Sequence, residues 1–160
     1  MARILVVHDD NKELKPLDAL LVEEGHRVVI KRTALQAMEF LAVYSPDLVI
    51  IDSQLRGMDG VTLLAPIRGV PRLRDVSIVI MVESGQADLE KIQLARPQSV
   101  LHKPLRVEEV RDAALEVLAR RNSTTITSTQ NKPPSGKRSR LERHLPNEKT
   151  FRELWPEAMQ

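Results

Sequence analysis

Through residue 120 the chain alternates short, unbroken apolar runs with longer stretches in which apolar residues recur every three or four positions. The unbroken runs lie at residues 3–8, 27–31, 47–52, 76–82 and 99–102, and each is short and rich in Val, Ile and Leu, the mark of a buried strand. The first periodic stretch predicts a helix over residues 12–24, with Leu14, Leu17, Leu20 and Leu21 on one face. Asn11 is placed to cap it, Gly25 to stop it, and Pro16 sits early enough to be tolerated. Thr33 opens a second helix, in which Leu35, Met38, Leu41 and Ala42 share a face before Pro46 ends it. A third helix is predicted over 61–68, where Pro66 removes a backbone donor and should kink or shorten it. Further helices follow over 87–95 and over 107–121, the latter turning Val110, Ala114, Leu115, Val117 and Leu118 inward.

Strands that alternate apolar and polar residues leave one face wet; these do not alternate. Continuously apolar strands separated by helices predict an α/β fold, a five-stranded parallel sheet doubly wound with helices on both faces. The crossovers are then right-handed, and the functional crevice lies beyond the carboxyl ends of the strands. After Arg121 the pattern stops. Residues 122–136 are rich in Ser, Thr, Asn and Pro, 137–143 are basic, and Asn147 is placed to cap a short helix ended by Pro156. Phe151, Leu154 and Trp155 fall on one side of that helix, a candidate partner-binding face. The expected organisation is a globular domain over 1–121, a flexible linker over 122–146 and a short amphipathic helix or tail over 147–160.

Length and charge sharpen this picture. A chain of 160 residues holds one ordinary core, and with four aromatic residues that core must be built from Leu, Ile, Val, Ala and Met. There is no cysteine, which excludes disulfides and thiolate chemistry. No apolar run approaches the roughly 20 residues needed to cross a bilayer, so a cytoplasmic protein without membrane contact is expected. Residues 1–120 carry 16 Lys and Arg against 18 Asp and Glu, whereas residues 121–160 carry 8 against 4. The basic character therefore belongs to the tail, and nucleic-acid binding is not expected of the main domain.

Singly, Asp9 and Asp52 read as caps or solvated loop residues, Asp59 as a turn or cap, and Lys103 as a surface charge. Their order is more telling. Ile4 through Asp10, Asp47 through Asp52, Gly57 through Gly60 and His102 through Leu105 each stand at the end of a predicted strand or in the loop after it. In this arrangement residues 1–120 resemble the receiver domain of response regulators, the CheY-like superfamily. The resemblance implies the flavodoxin-like strand order 2-1-3-4-5. It makes Asp52 the phosphoacceptor, with Mg²⁺ held by Asp9, Asp52 and the backbone carbonyl of Gln54, and Lys103 balancing the phosphoryl oxygens. The bond to Pro104 is often cis in that family. The implied donor is a histidine kinase or histidine phosphotransfer protein, and the implied output is protein–protein contact through the face of helix four, strand five and helix five, or through the tail.

Three positions depart from the family pattern. His8 stands where the family has an acidic metal partner; imidazole suits Mg²⁺ poorly, so His8 either fills the space or serves a softer metal or a pH response. Val82 stands where the family has Thr or Ser, and it offers no hydrogen bond to a phosphoryl group. Ser84 substitutes only if its loop is rearranged. Val100 stands where the family has Tyr or Phe, and the turn from Ala95 to Ser99 replaces the usual glycine-containing one. The implied protein is an atypical single-domain response regulator, with a phosphorylation-independent pseudo-receiver as the alternative. Turnover of a separate substrate is not expected. A DNA-binding regulator, the third possibility, lacks any groove-reading element.

Overall fold

Because each strand run is apolar at every position, its residues can feed two cores at once, and in the computed structural model they do. The structure describes residues 1–55, 58–83 and 89–129. In chain order the first elements are β1 (Arg3–Val7), α1 (Asn11–Glu23), β2 (Arg27–Lys31), α2 (Ala34–Val43) and β3 (Leu48–Asp52). A short hairpin follows, β4 (Gln54–Leu55) with β5 (Met58–Asp59), and then α3 (Leu64–Gly69), β6 (Ser77–Val82), α4 (Leu89–Ala95), β7 (Ser99–His102) and α5 (Val107–Thr129). The main sheet is parallel in the order β2-β1-β3-β6-β7. Its register sets Ile4 beside Leu48 and Val28, and Asp52 beside Met81.

Alternate residues of each strand point to opposite faces. Leu5, Val7, Val49, Ile51, Ile78 and Ile80 pack with α2, α3 and α4 on one side. Ile4, Val6, Leu48, Ile50, Val79 and Met81 pack with α1 and α5 on the other. Each fully buried Leu or Ile contributes about 1.5–3 kcal/mol, so β3, buried throughout, anchors both layers.

Local chemistry sets the helix ends. Asp10, one residue before the expected Asn11, caps α1: its carboxylate accepts from Lys12 N–H at 2.9 Å. Asn11 is instead the first helical residue. Gly25, at φ +87°, takes the left-handed conformation that ends the helix, and His26 N–H closes back on the Leu21 carbonyl. Thr33 caps α2 as expected, accepting from Gln36 N–H at 3.1 Å. The third helix enters as a 3₁₀ turn over Gly60–Leu63, and its α-helical part is only six residues long. Pro66 lies in the first turn of that part, where a missing donor has no partner to lose.

The chain after Arg121 departs from expectation, since α5 runs on to Thr129 and residues 122–129 of the expected linker are helical. Extending an existing helix costs far less than starting one, so polar residues of middling propensity can continue it. The remainder of the expected linker and the segment 147–160 lie outside the described residues.

One side chain ties the connection before β6 to the connection between α4 and β7. Arg68 donates to the carbonyls of Ala95, Arg96, Arg74 and Val76 and to the side-chain oxygen of Gln98, which itself accepts from Ile78 N–H. Burial pushes its guanidinium pKa down, with Asp75 opposing. Arg96, at φ +49°, occupies the left-handed region in the turn between α4 and β7.

Candidate functional site

Asp52 ends β3, and the strand delivers it into the crevice at the carboxyl edge of the sheet, where it is only 2% exposed. A buried carboxylate must be paired and hydrogen-bonded. Both of its oxygens accept from Nζ of Lys103 at 2.9 Å, and Oδ1 also accepts from the backbone N–H of Gln54 at 2.9 Å. Lys103 reaches it from the loop after β7, where its own N–H donates to the Val82 carbonyl and the peptide bond to Pro104 is cis, as expected. Gly60 closes the floor. A Cβ there would sit 2.1 Å from the Asp52 carbonyl oxygen, so this glycine is a packing device rather than a phosphate cradle. Asp59 beside it caps the 3₁₀ turn, accepting from Val61 N–H at 2.9 Å.

The crevice opens into a cleft of about 460 Å³ that Asp9, Asp52, Gln54, Lys103 and His8 all line, so the structure gathers the expected site residues in one place. Glu13 and Glu83 line it too. Neither was legible as a site residue: Glu13 reads as a first-turn helix acid, and its position five residues after His8 is no recognised pairing.

His8 is as buried as Asp52, at 2% exposed. Its Nδ1 accepts the backbone N–H of Asp10 at 3.1 Å. A backbone N–H can only donate, so Nδ1 must offer a lone pair and the ring proton sits on Nε2. That nitrogen lies 2.6 Å from Oε2 of Glu13 and 3.3 Å from Oδ2 of Asp52. Among the described residues, the ligand atoms of His8, Glu13 and Asp52 form one group within 4.8 Å of one another. The histidine is nevertheless a donor there. To ligate through Nε2 it would have to move its proton to Nδ1, directly against the Asp10 N–H. That leaves the oxygens of Glu13 and Asp52 as the close pair that suits a hard cation, with Asp9 on the wall of the same cleft.

The expected read-out positions lie nearby but carry no polar group. Val82 ends β6, is fully buried and pairs with His102. Val100 faces Ile80 across the β6–β7 ladder and packs, partly buried, against the core. Ser84, Phe151, Leu154 and Trp155 lie outside the described residues. At the other end of the sheet a wider cleft of about 830 Å³ is lined by Arg68, Arg74, Arg96, Arg120 and Arg121, so acid and base gather at opposite poles. No described helix is long and apolar enough to cross a membrane.

The family described as response regulator receiver domain matches residues 4–115. Over 137 residues the chain is 31% identical to the virulence transcriptional regulatory protein PhoP of Salmonella typhimurium, covering 84% of this chain and 59% of that one. It thus spans less than two thirds of that relative's length. Over 119 residues it is 29% identical to the sporulation initiation phosphotransferase F of Bacillus subtilis, covering 72% of this chain and 93% of that one. The receiver domain of a sensor histidine kinase from Pseudomonas aeruginosa PAO1, solved with a magnesium ion coordinated in its active-site cleft, matches with a TM-score of 0.64. Identity to it is 24%, over 74% of this chain and 98% of that domain.

Proposed function

The chain belongs to the response regulator receiver domain family, and on that footing we propose that it takes part in phosphorelay signalling by accepting a phosphoryl group on Asp52. One observation carries this reading: a carboxylate buried at a strand end is held through both oxygens by a lysine ammonium at 2.9 Å, in an open cleft whose wall carries a second acid, Asp9. In the proposed reaction an Asp52 oxygen attacks the phosphorus of a phosphohistidine on a histidine kinase or phosphotransfer protein. The P–O bond forms as the P–N bond breaks, and the released imidazole takes a proton from solvent. Lys103 stays with the transferring oxygens and offsets their charge, and Gln54 N–H steadies the carboxylate.

Mg²⁺ fits this cleft, because its walls offer carboxylate oxygens and the single imidazole presents a proton. Asp9, Asp52 and the Gln54 carbonyl would hold it, and when bound it supplies further charge neutralisation. The modification is stoichiometric, one phosphoryl per chain, so the protein is a switch component rather than an enzyme with turnover, and it works in the cytoplasm. Leu89 and Leu94 on α4, 54% and 78% exposed, support an output through protein contact on the face of α4, β7 and α5.

A second reading is favoured by Val82 and Val100. With no hydroxyl at the end of β6 and no aromatic ring on β7, the domain has lost the usual means of converting phosphate binding into a surface change. The alternative is a pseudo-receiver whose partners recognise the fold irrespective of phosphate. Incubation with acetyl phosphate and Mg²⁺, followed by intact mass, separates the two. The first reading expects one added phosphoryl group on the wild type and none on Asp52→Asn. An unmodified wild type overturns it.

A further inference from the structure

Resting on the phosphoacceptor reading, we propose that Glu13 supplies the cation's second acidic partner in place of position 8, and that His8 is a latch that holds Glu13 over Asp52 until the ion arrives. Three observations converge on this.

The first is the fixed tautomer. The proton on Nε2 of His8 points at Glu13 Oε2 and Asp52 Oδ2 together, so one N–H is shared between the two carboxylates that would help hold a divalent ion. The second is a displaced cap. Asp10 caps α1 and Glu13 stands three residues later, the spacing at which a glutamate normally turns back to accept the N–H of the capping residue. Here His8 Nδ1 takes that N–H at 3.1 Å. Relieved of its usual partner, Glu13 turns toward the cleft instead. The third is accessibility and charge. The Glu13 side chain is 48% exposed, so it can swing from the histidine to an ion, whereas His8 is packed at 3%. With Asp9 and Asp52 it restores the third carboxylate that the histidine removed.

The two residues thus act as one device. His8 N–H holds Glu13, and a cation in the cleft would compete with that proton for the same oxygens. Affinity for the cation then depends on Glu13, and the imidazole stays outside the coordination shell with its proton in place.

Calorimetric titration of the full chain with MgCl₂ tests this in a double-mutant cycle. Glu13→Gln should weaken binding about tenfold or more. The same change made with His8→Asp already present should have an effect within about twofold, because the carboxylate introduced at position 8 takes over. Glu13→Asp should fall between wild type and Glu13→Gln. Thermal melts confirm that each variant is folded. Ring ¹⁵N spectra of the wild type should show Nε2 still protonated at saturating Mg²⁺. Equal affinity of wild type and Glu13→Gln, equal effects of Glu13→Gln in both backgrounds, or loss of the Nε2 proton on metal binding would each overturn the proposal. Failure of acetyl phosphate to modify Asp52 while the titration pattern holds would instead remove the phosphoacceptor reading and leave the metal assignment standing.

Discussion

At the scale of single residues, two positions show how tightly the crevice is specified. Gly60 has no room for a methyl group, since the Asp52 carbonyl oxygen would lie 2.1 Å from its Cβ and Ile51 Cγ2 2.9 Å away. Both neighbours belong to the buried β3, so neither yields easily. Gly60→Ala should cost about 1–3 kcal/mol in urea unfolding and should also lower phosphorylation of Asp52, because the strand end must shift to make room. A variant as stable and as reactive as wild type would contradict the contact. The sequence made Asp52, Asp9 and Lys103 legible because each ends or follows a strand, and strand ends are predictable from apolar runs. It left Glu13 unread, because what turns that side chain inward is the hydrogen bond between His8 and Asp10, a three-dimensional event with no spacing rule behind it.

Among the elements, the half of the sheet away from Asp52 depends on Arg68. Its guanidinium reaches α4's last carbonyls and the loop before β6 at once, spanning 28 residues of sequence to Arg96. Arg68→Ala should destabilise the protein by about 2–4 kcal/mol, since four backbone carbonyls, two of them partly buried, lose a charged donor together. Arg68→Lys should recover little, because an ammonium cannot fill a planar fork. Hydrogen exchange should localise the loss to the C-terminal turn of α4 and to residues 70–76. Strands and most helices were readable here, their apolar faces and caps being local. The β4–β5 hairpin and the Arg68 network were not, since two-residue strands carry no periodicity and long-range donors leave no local trace.

For the molecule as a whole, the question is whether an event at Asp52 travels. The two valines at positions 82 and 100 predict that it does not travel by the family's usual route. In wild type, beryllofluoride should perturb amide NMR signals only in the loops around Asp52 and Lys103. The double variant Val82→Thr with Val100→Tyr should extend those changes into β7 and α4, at about 1–3 kcal/mol of stability for the newly buried hydroxyl. Wild-type changes that already reach α4 would refute the idea that the couple is missing.

The direction of α5 sets the terms for any other route. It starts four residues after Lys103, and by Arg121 it has crossed to the opposite pole, where its guanidinium meets the Asp75 carbonyl. A helix of 23 residues spans about 35 Å. Ionic screening at cellular salt fades charge effects over about 8 Å. A negative charge added at Asp52 would therefore be electrically silent where the helix ends at Thr129. A displacement of the α5 rod, begun by its near neighbour Lys103, would carry a change that far.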